Sequence, residues 1–224
     1  MFDVITFGSA TRDAFARSPA FRVLKYPRFP AGKALALPLG VKLDVEEFTV
    51  TVGGGAVNTA ATFANQGLRT AALCVVGKDA GGREVEEFFK ERRISRDFLF
   101  VDSHENTAYS FILSAGKKDR TILQRNGAEW HLSEFPIPYS KLAKAKWWYV
   151  NHIGGKAASL VPRLLKTAAQ EGVFVAWNPG NTQLKLKKGI LPLLSGVDVF
   201  IVNQEEASLV TGVPYKNRER MFRV

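Results

Sequence analysis

The segment 51–67, TVGGGAVNTAATFANQG, constrains this chain more than any other. Gly53, Gly54 and Gly55 close a β-like alternation of Phe48, Val50 and Val52, and Asn58 stands at the start of a helix predicted over 58–66 and stopped by Gly67. Glycine permits positive φ and lets another group come close to the backbone. A helix N-terminus presents unpaired N–H groups and the positive end of a dipole. Strand, glycine turn and helix therefore make a binding loop, and the Asn58 amide can both donate and accept.

The rest of the chain supplies a sheet for that loop. The run 2–7 reads as a first buried strand ending in Gly8-Ser9-Ala10, with Arg12 and Asp13 directly after it. Ligands gather beyond the carboxyl ends of strands in open α/β sheets, so Asp13 is placed either to hold hydroxyl groups or to cap a turn. Residues 14–52 lack the crossover helix expected next and carry Pro19, Pro27, Pro30 and Pro38 between short β-prone pieces, a pattern that predicts strands standing off the main sheet as a lid. A buried strand is expected at 70–76, followed by the loop Gly77–Gly82 and a helix over 83–93 with Val85, Phe88 and Phe89 inward. The runs 107–114 and 120–124, separated by 115–119, predict a hairpin that either completes the lid or extends the sheet.

In the second half, strands are expected at 147–151, 173–177 and 197–202. A helix with Ala157, Leu160, Val161, Leu164, Leu165 and Ala168 on one face, ended by Gly172, falls between the first two. Alternation of this kind predicts a mostly parallel sheet with helices on both faces. Asn203 and Glu206 follow the last strand at i, i+3, on one face of a first helical turn, where a carboxylate either stabilises the helix end or orients a hydrated Mg²⁺. Residues 215–224 read as the opening of another helix.

Composition narrows the function. A net charge of +10 admits nucleic acid, an anionic ligand or a basic surface, but the usual nucleic-acid-binding motifs are absent. An almost acid-free patch of Arg12, Arg17, Arg22, Lys25, Arg28 and Lys33 favours a phosphorylated small substrate, with Arg12 beside Asp13 to reach its anion. Cys74 is the one cysteine and lies in an apolar run as a core residue. The three histidines stand far apart without companions at zinc-ligand spacing, and no run approaches a membrane span, so a soluble cytoplasmic protein is expected. A dinucleotide-dependent oxidoreductase would need G-x-G-x-x-G after the first strand, and here Asn58 stands where the third glycine would be.

The succession GSATRD, GGGAVNTAATFANQG, GKDAGG, a lid-like hairpin, NPGN and DVFIVNQEEASLVTG resembles the ribokinase or phosphofructokinase-B family of carbohydrate kinases over nearly the whole chain. The resemblance implies a three-layer α/β/α fold with a mostly parallel central sheet and a small β lid built from about 14–50 and 105–125. It also implies ATP-dependent phosphorylation of a sugar or nucleoside hydroxyl, and in some members a homodimer through the lid. By position, Asp13 matches the family's sugar-hydroxyl acid, and Gly54, Gly55 and Asn58 match the loop cradling the sugar. Asn203 and Glu206 match the motif that arranges Mg²⁺ and the ATP phosphates, with Glu206 toward the metal. The stretch 151–155 is expected along the sugar pocket. The family's Gly-x-Gly-Asp segment, which supplies the catalytic base and the anion hole, is absent from this sequence. The expectation is therefore an incomplete kinase domain over 1–224, with its catalytic Asp and the C-terminal part of the fold beyond residue 224. The other readings are one half of a split enzyme, completed by a second polypeptide, and a non-catalytic sugar-binding fragment.

Overall fold

The computed structural model describes residues 1–29, 32–115 and 119–223, so Pro30 and the expected turn residues Gly116, Lys117 and Lys118 lie outside the described residues, as does Val224. A six-stranded, all-parallel sheet forms the centre. It is built from β1 (Val4–Phe7), β6 (Thr70–Gly77), β7 (Leu99–Asp102), β10 (Trp147–Val150), β11 (Phe174–Trp177) and β12 (Val199–Phe200), in the order β12-β11-β10-β1-β6-β7.

Every residue of β6 is buried, as an apolar run covered on both faces requires. Its side chains alternate between two cores. Ala72, Cys74 and Val76 pack with Val57 and Ala60 of α1 (Gly55–Asn65) and with Val85 and Phe89 of α2 (Ala80–Glu91). Ala71, Leu73 and Val75 face the opposite core. That core takes Leu142 of α3 (Tyr139–Leu142), Leu164 and Leu165 of α4 (Val161–Glu171), Leu184 of α5 (Asn181–Leu184) and Val210 of α6 (Gln204–Thr211). Helix, sheet and helix are thus three layers. A short last helix, α7 (Arg218–Met221), packs against α6.

A second, mixed sheet stands off this body in the order β5-β2-β8-β9: β2 (Thr11–Arg17), β5 (Glu47–Gly53), β8 (Ala108–Ala115) and β9 (Asp119–Arg125). β2 runs antiparallel to β5 and parallel to β8, and the two strands of the expected hairpin, β8 and β9, are antiparallel. β3 (Arg22–Lys25) and β4 (Lys33–Ala36) form a separate two-stranded hairpin.

Four expectations need correction. Asp13 is not in a turn: β2 begins at Thr11, so the chain passes from β1 through Gly8, at φ 144°, almost straight into the second sheet. The helix after the glycines starts at Gly55, three residues earlier than expected, because Gly54 at φ 96° closes the strand by itself. The helix after β6 likewise starts early, at Ala80, since the Asp79 side chain accepts from the Gly82 N–H and caps it. The run 197–202 forms a strand at only two residues, Val199 and Phe200, whose ladder with Ala176 and Trp177 is equally short.

Candidate acceptor site at the sheet edge

The three consecutive glycines each make room for a different part of the chain. A Cβ on Gly53 would stand 2.0 Å from Asp13 Oδ2, one on Gly54 would stand 2.4 Å from the Ser9 carbonyl oxygen, and one on Gly55 would stand 2.9 Å from Asn151 Cβ. The loop therefore gathers the turn after β1, strand β2 and the end of β10 at one point, beyond the carboxyl ends of the central strands. Ser9 also takes the helix N-terminus: its Oγ accepts from the Gly55 N–H at 3.1 Å and its carbonyl accepts from the Ala56 N–H at 3.1 Å. With those two amides bonded internally, the helix end is a poor phosphate cradle.

β-strand alternation sorts the lid residues. Thr51, Asp13, Ser110 and Gln124 share one rung across the four strands, and Val52, Arg12, Tyr109 and Arg125 share the next. Adjacent rungs point to opposite faces. Gln124 lines a cavity with Gly8, Ser9 and His152, so the rung of Asp13 is the one turned toward the body. The Asp13 carboxylate accepts from the Thr11 hydroxyl at 2.9 Å and is partly exposed. Arg12 is on the other face, its Nε donating to Glu84 of α2 at 2.7 Å and its guanidinium 5.7 Å from the centre of the Tyr109 ring. The expectation that Arg12 beside Asp13 meets a substrate anion is thus corrected by the alternation itself.

Asn58 sits in the second turn of α1, where its own N–H already donates to the Gly54 carbonyl at 2.9 Å. Its amide is exposed and has no hydrogen-bond partner among the described residues. Asn151, inside the stretch expected to line the pocket but not singled out from sequence, is buried and tied down. Its Nδ2 donates to the Phe7 carbonyl and to Thr59 Oγ1, both at 3.1 Å, joining β1, β10 and α1. Next to it, His152 and Trp130 border the same cavity, of about 40 Å³. No spacing rule would have found Trp130, which lies in the 3₁₀ run Ala128–Glu134 and meets the pocket only through the fold.

The second sheet is rooted by a partly buried polar cluster. Asp79 accepts from both the Thr107 N–H, at 2.9 Å, and the Thr107 hydroxyl, at 2.7 Å, and Thr107 Oγ1 accepts from the Gly77 N–H at 2.9 Å. Burial works against the Asp79 charge, but the bonds from Thr107 and Gly82 hold its carboxyl below the ordinary range. Beside it, Asp102 accepts from the His104 and Glu105 amides and meets His131 Nδ1 at 2.7 Å. Among the described residues no group of three His, Cys, Asp or Glu side chains could hold a metal ion.

Asn203 and Glu206 stand at the other end of the sheet edge, after β12. Three strand spacings of about 4.8 Å, roughly 14 Å in all, separate that strand from β1. The two residues form a capping box: the Glu206 N–H donates to Asn203 Oδ1 at 2.9 Å and the Asn203 N–H donates to Glu206 Oε2 at 2.8 Å. The second oxygen of Glu206 has no partner among the described residues. One carboxylate at a helix N-terminus fits Mg²⁺ when waters and phosphate oxygens complete its shell. Alongside runs an open, mainly apolar trough of about 520 Å³ between the 3₁₀ run Lys187–Gly196, α6 and α7.

Fold and edge together define a three-layer α/β protein with a second, smaller sheet standing beside the carboxyl ends of its parallel strands. The family described as pfkB family carbohydrate kinase matches residues 2–221, and the chain belongs to it. Ribokinase of Haemophilus influenzae is 28% identical over 174 residues, an alignment covering 78% of this chain and 56% of that protein. The chain thus spans about half the length of the curated relatives it matches. Arabidopsis thaliana ribokinase, solved in complex with ribose and ATP, shares the fold at a TM-score of 0.76 and 18% identity, covering 99% of this chain and 66% of that one. A Burkholderia thailandensis nucleoside kinase solved with inosine does so at 0.73 and 16%, covering 97% and 66%.

Proposed function

We propose that this chain is the acceptor-binding and lid portion of an ATP-dependent kinase that phosphorylates a hydroxyl of a sugar or a sugar-like polyol. The observation that carries this reading is the convergence of Asp13, on the inward rung of the lid, with the Gly53–Gly55 loop at the edge of the parallel sheet. Asp13 and Asn58 hold hydroxyl groups, and Gly54 and Gly55 bring the backbone against the sugar. At the far end of the edge, Asn203 and Glu206 hold the phosphates of ATP with Mg²⁺, Glu206 through its free oxygen. The metal would supply charge neutralisation there during phosphoryl transfer.

The base that deprotonates the acceptor and the amides that stabilise the transferring phosphoryl group come, in this reading, from polypeptide outside these 224 residues. The apolar trough beside β12 and the share of the relatives' length that the chain spans both support it. Exposed Phe48, Phe111 and Leu123 on the outward face of the lid support a homodimer through that face. No helix among the described residues is long and apolar enough to cross a membrane, which agrees with a cytoplasmic enzyme. A nucleoside acceptor is the second reading, favoured by the likeness to the inosine-bound kinase.

ADP release by the full-length gene product, with ribose, fructose and adenosine offered in turn, tests the proposal. One acceptor should drive turnover, and Asp13→Asn should lower kcat/KM for it at least 100-fold. Saturable sugar binding without any ADP release would leave a non-catalytic binding module instead.

A further inference from the structure

Three glycines hold two ring side chains at the cavity that Gly8, Ser9 and Gln124 also line. A Cβ on Gly155, whose φ is 56°, would stand 2.5 Å from Trp130 Cγ and Cδ2, so the indole lies against bare backbone. A Cβ on Gly180 would stand 1.9 Å from His152 Cδ2, and one on Gly154 would meet both rings, 3.1 Å from His152 Cε1 and 3.4 Å from Trp130 Nε1. Two flat side chains are thus fixed side by side at the mouth of a small pocket, each on a seat that a larger residue would destroy. Rings held this way have few rotamers to lose when a ligand arrives.

The charges around the cavity are one-sided. No Lys or Arg is among the described residues lining it, and its one ionisable acid is Glu129. Burial pushes the Glu129 carboxyl up, although the Gly127 N–H donates to it at 2.8 Å. The two lid arginines nearest in register, Arg12 and Arg125, belong to the opposite face and are paired with Glu84 and Glu105. An anionic substituent here would meet Glu129 and no cation in the cavity lining, and Arg125, the cation felt at Glu129, is already held by Glu105. The surrounding protein also disfavours the charged form of His152, leaving an imidazole that offers one donor and one acceptor, the complement of a hydroxyl. On the order of 10–15 Å³ of such space holds one water, so a cavity of about 40 Å³ admits a few hydroxyl-sized groups and not a planar base.

We infer that Trp130 and His152 set the specificity of this pocket for the uncharged, hydroxyl-bearing end of a monosaccharide, and that they exclude its phosphate ester. The inference rests on the acceptor-site reading and deepens it. The indole meets the apolar C–H face of the sugar ring, a large and rigid contact of the kind aromatic anchors provide, while the imidazole and the Gln124 amide hydrogen-bond its hydroxyls.

Calorimetric titration of the purified chain with D-ribose and D-fructose, and in parallel with ribose 5-phosphate and fructose 6-phosphate, tests it. At least one free sugar should bind at least 10-fold more tightly than its phosphate. Trp130→Ala and His152→Ala should each weaken that sugar at least 10-fold, with Trp130→Phe recovering most of the loss and circular dichroism unchanged. Equal or tighter binding of a sugar phosphate overturns the inference and needs no variant. So does free-sugar binding that both ring variants leave intact while Asp13→Asn abolishes it, an outcome that preserves the acceptor-site reading. Failure of all four probes to bind overturns the inference, and adenosine binding by the same chain would then keep the acceptor-site reading in its nucleoside form.

Discussion

The carboxylate of Asp13 occupies the space that a side chain on Gly53 would need, with Oδ2 only 2.0 Å from the position of the missing Cβ. One residue of the lid is thereby fixed by the absence of a side chain on its antiparallel neighbour strand.

Gly53→Ala should therefore damage the site and the fold together. The carboxylate or the strand must shift, and overpacking of this kind costs about 1–3 kcal/mol. Urea denaturation should show that loss, and calorimetry should show acceptor affinity falling at least 10-fold. Gly189→Ala serves as the comparison, because a Cβ there makes an ordinary 3.7 Å contact with Leu186. Its stability should stay within about 0.5 kcal/mol of the parent.

Asn151 joins three elements through one amide nitrogen, bonded to Phe7 and Thr59. Asn151→Leu leaves those acceptors without their donor, a loss of about 1–3 kcal/mol. Asn151→Asp should be worse, since its carboxylate would face the Phe7 carbonyl oxygen. Hydrogen exchange of the first turn of α1 should rise in both variants, while the core of β6 should hold its protection.

Acid should loosen the lid root before it unfolds the body. The Asp79 carboxyl titrates below its unfolded-state value, so its contribution is fully present above the ordinary aspartate range and disappears as pH falls through the lowered value. Between about pH 5 and pH 2, Asp79→Asn should show a flatter dependence of stability on pH than the parent. Parallel curves would rule Asp79 out as a source of the acid sensitivity.

The capping box can be separated from the proposed nucleotide role by two substitutions. Asn203→Ala removes the cap and should cost about 0.5–2 kcal/mol. In Glu206→Gln an oxygen remains to accept the Asn203 N–H, so stability should change by no more than about 0.5 kcal/mol. If Glu206 serves Mg²⁺ and phosphate, that same variant should still raise the KM for MgATP at least 10-fold in the full-length product. An unchanged KM would leave the residue with a purely helical role.

Patterns with a fixed period were legible in the sequence. The buried run of β6, the hairpin strands β8 and β9, and the helical face carrying Leu164, Leu165 and Ala168 all follow from local repeats that any packed neighbour must respect. What escaped was set by contacts between distant segments. Arg12 and Asp13 are adjacent in sequence, yet they face opposite ways because β2 starts one residue before them, and no local signal distinguished that strand from a turn. The glycine loop was legible as a site of close approach but not as to what approaches. Its partners prove to be Asp13, Ser9 and Asn151, which no spacing in the sequence brings together. Trp130 was equally invisible, since a tryptophan in an apolar, turn-rich stretch reads as core until Gly155 is seen beneath it.

Cys74, the only cysteine in the chain, is fully enclosed in β6, and burial pushes its thiol up to about 12. A thiol in that setting is inert to alkylating reagents while the sheet is intact and becomes reactive once the sheet opens. The protein thus carries its own reporter of opening: one covalent adduct per molecule, countable by mass, whose rate of appearance ranks every variant described above without an added label.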